Sequence, residues 1–169
     1  FSRKELSYIY LLSDLIGDLD TTSHSYGDLA SQIDLYTGGM DYSVSAYSDI
    51  QNNEAYTPVF QIKTKVLSQN ISKLLDLMKE ISLGTTFTNA QRLRELIEET
   101  KSGWDMDAFR RGHLIVMHRV LSYLSAVEGF CDAGEFSYYE FITAVAKQAG
   151  QDITKIADGL SHVMKKIFT

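Results

Sequence analysis

A single cysteine and a single proline occur in the 169 residues of this chain. One cysteine excludes an internal disulfide framework and any cysteine-rich zinc module. It is compatible with a reducing compartment, and a cytoplasmic location is favoured on that ground. One proline leaves no proline-rich linker. Cations are also in short supply: Lys plus Arg is 16 against 22 Asp plus Glu, a formal net charge of −6. Phosphate binding needs a surplus of Lys and Arg, so nucleic acid is not an expected partner. No stretch approaches the roughly 20 apolar residues of a membrane span, so no membrane partner is expected either. The first residues lack the charged head, apolar core and small-residue cleavage site of a signal peptide. Phe1 stands where Met would open a chain. The expectation is a piece of a longer polypeptide.

What is present is ordinary globular composition, with 44% hydrophobic residues and 10 tyrosines. That suits one domain with a real core. Apolar residues at Leu6, Ile9, Tyr10, Leu12, Leu15, Ile16 and Leu19 follow the helical period. Leu11 and Tyr8 add apolar surface on other faces, so this helix is expected to pack on more than one side. Asp20 to His24 breaks the pattern. Ser25, with Asp28 three residues on, caps a second helix whose buried face carries Leu29 and Ile33. Gly38 and Gly39 close it, which excludes a phosphate-binding loop, since such a loop opens a helix.

The period then switches to two. Met40, Tyr42, Val44 and Ala46 alternate with polar neighbours and Tyr47, and Phe60, Ile62, Thr64 and Val66 do the same after Pro58. An antiparallel hairpin is predicted, joined by a polar connection from about Ser48 to Tyr56 that carries Asn52-Asn53. The remainder reads as helices. Ile71, Leu74, Leu75, Met78 and Ile81 form one stripe, ended by Gly84. Thr88 with Gln91 makes a capping box before Leu93, Leu96 and Ile97, and Ser102-Gly103 interrupts. A longer helix from about Asp105 to Val127 carries Phe109, His113, Val116, Val120, Leu124 and Val127 on one stripe. Asp132-Ala133-Gly134 is a turn, Ser137 with Glu140 another capping box, and Asp152 a cap for a last helix bearing Ile156, Leu160, Val163 and Ile167.

Two strands among so many helices is an imbalance. A lone hairpin is marginal in water, and its two outer edges invite pairing. The expectation is an incomplete α+β unit whose further strands come from elsewhere, and which self-associates when isolated.

The chemistry-bearing residues form no self-contained constellation. His113 and His118 are five apart, about 140° around a helix, so they do not share a face as a zinc pair would. His113 reads as a hydrogen-bonded core or subunit-facing histidine, His24 as a solvated loop residue, and His162 with Lys165 as partners of a helix C-terminus. A small hydrolase built on His113 or His118 is the weakest alternative. Cys131 beside Asp132 has a neighbour that raises a thiol pKa. Glu98-Glu99 and the Asp105/Asp107 pair read as solvated faces. Arg110-Arg111 with Arg119 makes a small basic patch that reads mainly as surface charge pairing. Tyr36, Tyr42, Tyr47 and Tyr138-Tyr139 suit either a sheet–helix interface or adaptable peptide contacts.

The order of segments carries a resemblance. Ser25-Tyr26-Gly27-Asp28-Leu29, Ile33-Asp34-Leu35-Tyr36-Thr37-Gly38-Gly39-Met40 and Ser43-Val44-Ser45-Ala46-Tyr47-Ser48-Asp49 resemble the third domain of the presequence-protease branch of insulinase/pitrilysin-type zinc metallopeptidases. Downstream, Lys79-Glu80-Ile81, Phe87-Thr88-Asn89, Arg92-Leu93-Arg94, Lys101-Ser102, and Gly112-His113 on a helix ending in Arg119 and Ser122 follow the same order, over about residues 6 to 145. The resemblance implies an α+β fold with helices packed on an antiparallel sheet, here truncated at its N-terminal strands. It implies that residues 1–169 are a single partial, non-catalytic domain in the C-terminal half of a four-domain peptidase. In that family zinc is held in another domain by H-x-x-E-H and a later glutamate, and activates water. No catalytic or metal residue is carried over to this chain, and the substrate-binding residues are unknown. Implied partners are the remaining domains and peptide substrates, with zinc in the parent and no cofactor here. The alternative is a stand-alone protein-interaction module.

Overall fold

The computed structural model of the chain describes residues 1–49, 51–52 and 55–168. Helix α1 (Arg3–Leu15) opens with Ser2 and Glu5 bonding reciprocally across the first turn, a capping box written as Ser-x-x-Glu in the sequence. Tyr8, Ile9, Leu11, Leu12 and Leu15 are buried on several sides, as the apolar pattern requires, and α1 is the central rod of the core. The rod stops at Gly17, which takes φ +99°, a conformation that disfavours side chains. A Cβ there would also lie 2.7 Å from the Tyr42 ring, so the position needs glycine twice over.

Helix α2 (Tyr26–Tyr36) is capped by the Ser25 hydroxyl, which accepts from the Asp28 amide at 3.2 Å, and buries only Leu29 fully. Gly39, at φ +94°, turns the chain into strand β1 (Met40–Ser48). Strand β2 (Tyr56–Thr64) returns antiparallel, with Met40 opposite Thr64, Val44 opposite Phe60 and Ala46 opposite Pro58. The period-two reading thus gives the right faces, though Val66 falls beyond β2. Met40, Tyr42, Val44 and Phe60 lie against the core. Of the connecting loop, Asn52 is described, whereas Ile50, Asn53 and Glu54 lie outside the described residues.

A short 3-10 turn (Ser68–Asn70) leads into α3 (Ile71–Gly84), which buries Leu74, Leu77 and Ile81. Ile71 and Leu75 are exposed, so the buried face is rotated from the predicted stripe toward Leu77. Then come α4 (Ala90–Leu121), α5 (Ala126–Ala133), α6 (Phe136–Ala149) and α7 (Thr154–Ile167). The described residues hold these seven α-helices and one two-stranded sheet, so the class is α+β.

Five boundary expectations are corrected. Ser102-Gly103 does not interrupt: both residues are helical within α4, where one glycine costs only about 1 kcal/mol. The irregularity falls instead at Arg111, beside Gly112, with φ −115° and ψ 16°. The cap of α4 is Asn89, not Thr88; its side-chain oxygen accepts from the Arg92 amide at 3.1 Å. The predicted Asp105–Val127 helix ends at Leu121, and Val127 belongs to α5 with Asp132 and Ala133, followed by Gly134. Ser137 lies inside α6 and accepts from Arg3, so it caps nothing. The N-cap of α7 is Ile153 rather than Asp152, whose carboxylate stands one residue earlier and accepts from the Thr154 amide at 3.1 Å.

Candidate functional site

The polar loop after α1 is a pinned joint. The Asp20 carboxylate accepts from the Tyr26 amide at 2.8 Å and from the Asn89 amide side chain at 2.9 Å. Beside it, His24 Nδ1 lies 2.8 Å from Glu80 Oε1, and the Thr21 hydroxyl bonds the same carboxylate. His24 is therefore engaged by α3 rather than free in solvent, which corrects the sequence reading.

Next to this joint, a cleft of about 380 Å³ lies between the end of α1, α2 and the first residues of β1. Asp14, Asp18, Asp34 and Asp41 line it, with Tyr42 on one wall. Asp14 accepts a 2.7 Å bond from the Tyr138 hydroxyl. Desolvation by the surrounding protein pushes the Asp14 carboxyl above its ordinary pKa, opposed by the Tyr138 and Trp104 donors. The same cause raises Asp18, with Arg92 pulling against it and Glu99 adding to it. Burial is also the main cause that lifts the Tyr42 phenol far from ionisation, assisted by Asp18. Four carboxylates and a neutral phenol can receive a cationic or hydrogen-bonding group. No histidine or cysteine lines this cleft.

A second, apolar cleft of about 210 Å³ runs beside the hairpin, lined by Leu6, Ile9, Val44, Pro58, Val59 and Phe60 among others. Among the described residues β1 and β2 pair only with each other, so each keeps an outer edge.

The remaining histidines are dispersed. His118 lies between two carboxylates, Nδ1 2.8 Å from Glu128 and Nε2 3.9 Å from Glu135. These acids sit on opposite nitrogens of one ring, so they do not converge on a point where an ion could bind. His162 Nε2 lies 3.1 Å from Glu5, on α1, rather than serving its own helix end. His113 is exposed and not in the core. The described residues hold no group of three or more His, Cys, Asp or Glu suited to a metal ion. Among the described residues the donor set does not fit zinc.

Cys131 lies half-buried on α5, its thiol pushed up by burial and by Glu128 and Glu135. Arg110, Arg111 and Arg119 do not form one patch. Arg111 pairs with Asp107 at 3.4 Å and Arg119 with buried Asp132 at 3.0 Å. Glu98 and Glu99 are exposed. Asp105 is held by Lys101 and by the Tyr139 hydroxyl at 3.0 Å. Tyr138 fills the core, while Tyr47 is exposed. Sequence reasoning missed the ties from Asp14 to Tyr138 and from Asp132 to Arg119, because partners 124 and 13 positions apart leave no local signal.

Fold and clefts together define a helix-clad α+β unit with an open-edged hairpin and polar and apolar grooves. The pattern of the family described as peptidase M16, subfamily C, associated matches residues 1–145. The chain belongs to that family, the associated domain of presequence protease-like peptidases of this subfamily. It is 29% identical over 165 residues to Protein HypA of Clostridium perfringens, covering 96% of this chain and 17% of that protein. It is 26% identical over 174 residues to the mitochondrial presequence protease of Drosophila melanogaster, covering 99% of this chain and 16% of that protein. The mitochondrial presequence protease of Yarrowia lipolytica is 26% identical over 164 residues, covering 96% of this chain and 17% of the relative. The chain thus spans about a sixth of the length of the curated relatives it matches.

Proposed function

We propose that residues 1–169 are a single partial, non-catalytic domain in the C-terminal half of a zinc metalloendopeptidase that degrades short or unstructured peptides. The domain walls part of a closed substrate chamber, excludes folded substrates by size, and offers polar and aromatic surface to the peptide. The observation that carries this reading is the family match over residues 1–145. The hairpin supports it, since two open strand edges await strands that this segment does not supply. So does the short span relative to relatives named presequence proteases. Zinc, in this reading, is held by another domain of the parent, where it activates the water that attacks the peptide bond. Within residues 1–169 the side chains position and exclude: the acidic cleft takes up donors of an extended peptide, and the pinned joint at Asp20 holds that cleft open.

The test compares the full-length polypeptide with residues 1–169 alone on an unstructured peptide, with and without chelator. The expected result is chelator-sensitive cleavage by the full-length protein and none by residues 1–169. Chelator-sensitive turnover by residues 1–169, or a full-length protein that cleaves no peptide, would overturn the reading.

A further inference from the structure

The corner where α4 meets α5 and α6 holds more acid than cation. Glu128 and Asp132 reach it from α5, and Glu135 from the N-cap of α6. Arg119 answers Asp132 at 3.0 Å, which leaves Glu128 and Glu135 to the single ring of His118. His118 Nδ1 lies 2.8 Å from Glu128, a distance that puts a proton on Nδ1. His118 Nε2 lies 3.9 Å from Glu135 Oε1, beyond hydrogen-bond reach. The other oxygen of that acid, Oε2, is buried and has no hydrogen-bond partner among the described residues. A buried acceptor left without a donor costs stability.

Proton counting accounts for the mismatch. A neutral imidazole carries one N–H, and Glu128 takes it. The Nε2 lone pair then faces the Glu135 carboxylate, and the two repel. An imidazolium carries two N–H groups, one for each acid, and both bonds are charge-assisted. Histidine gains that second proton between about pH 8 and about pH 5. Around the ring, Arg119 keeps its charge throughout. Burial, with Glu128 and Glu135 adding, pushes the Cys131 thiol up. Burial, with Cys131, Glu135 and Tyr56 adding, keeps the Tyr10 phenol far from ionisation.

The corner also holds a length of helix that has little else to hold it. The backbone of α4 is non-helical at Arg111. Before that break the helix buries Leu93, Leu96 and Ile97; after it, among the described residues, Ile115 alone is buried. A segment with so little apolar burial opens at low cost unless ties at its end restrain it. One tie, from Arg119 to Asp132 and over the Phe136 ring, keeps its cation at every pH that permits folding. The tie through His118 depends on a proton.

We propose that His118 is a proton-operated clasp on the outer half of α4. Protonated, it donates from both ring nitrogens and draws Glu128 of α5 and Glu135 of α6 onto that half-helix. Neutral, it keeps Glu128 and lets Glu135 go.

The test is hydrogen–deuterium exchange of the full-length protein, read on peptides from α5 and the start of α6 and corrected for the intrinsic effect of pH. Exchange there is expected to be about tenfold faster at about pH 8 than at about pH 5.5, the loss of one charge-assisted hydrogen bond. General unfolding in acid would have the opposite sign. His118→Gln takes up no second proton, so its exchange is expected to be flat across that range. Glu135→Gln is expected to be flat as well, and protected throughout, because an amide can donate to the neutral ring. A flat profile in the unmodified protein overturns the clasp. So does a slope that survives in either variant, since another group would then be titrating. Should His118→Gln fail to fold, Glu135→Gln decides alone.

Discussion

Arg119 Nε lies 3.0 Å from Asp132 Oδ1, joining the last turns of α4 to α5 across an acid that is 4% exposed. The guanidinium also stands 4.7 Å above the Phe136 ring, at the start of α6. One side chain thus ties three helices at the corner where α4 ends. A buried carboxylate is tolerable only while it is paired.

Arg119→Met is therefore expected to destabilise by about 3 kcal/mol, because it strands Asp132 without a cation. Urea unfolding of residues 1–169 measures this. Replacing both partners, with Arg119→Met and Asp132→Leu together, is expected to recover most of the loss. A single variant as stable as the parent would show that the pair carries no such role.

Gly134 gives a purely steric test. Its φ is −86°, so no conformational strain is involved. A Cβ at that position would stand 2.3 Å from Tyr10 Cζ, and the Tyr10 hydroxyl is held by the Phe130 carbonyl at 3.3 Å. Gly134→Ala is expected to cost about 1–3 kcal/mol by overpacking. Tyr10→Leu in the same chain is expected to cancel part of that cost. Additive losses in a double-mutant cycle would contradict the contact.

These corners explain what was legible in the sequence. The helical period of α1, the two-residue period of the hairpin and the cap at Ser25 are local signals, and each gave the right element on the right face. The joint at Ser102-Gly103 was misplaced because glycine reads as a breaker, while the buried Leu93, Leu96 and Ile97 of the same helix outweigh its cost. The stripe expected from Phe109 to Val127 does not survive as one face, because the backbone is non-helical at Arg111 and the helix ends at Leu121, with Val127 on α5; an apolar spacing carries no sign of such a break. The four-aspartate cleft escaped notice because α1, α2 and β1 meet only in the folded chain.

Asp14 makes stability depend on pH with one sign. Its folded-state pKa is raised from an ordinary 3.8, chiefly by desolvation in the surrounding protein. Between those two values the folded state binds more protons than the unfolded one, so stability falls as pH rises through that window. Asp14→Asn cannot titrate and keeps an oxygen for the Tyr138 hydroxyl. The variant is expected to gain on the parent as pH rises from below 3.8 to neutrality. A constant difference in urea midpoint across that range would remove Asp14 from the account.

Glu5 should show the opposite sign. Its carboxylate is held by Lys166, by the Ser2 amide at 2.7 Å and by His162 at 3.1 Å. Lys166 is the largest of the causes that push its pKa well below the ordinary 4.5. The unfolded state then binds more protons below 4.5, so this contribution is fully present above that value. It is lost as pH falls toward the folded pKa. Glu5→Gln is expected to lower the midpoint at neutral pH, by loosening both the α1 cap and the tie to α7, and to converge on the parent as acid is added. Because Glu5 is solvent-accessible, added salt should shrink the neutral-pH gap. Comparing the two variants in one buffer series separates the sites, since the Asp14→Asn difference grows as pH rises above 3.8 while the Glu5→Gln difference vanishes in acid. A Glu5→Gln chain whose deficit persists undiminished at the lowest pH that still permits folding would assign Glu5 a packing role in place of an electrostatic one.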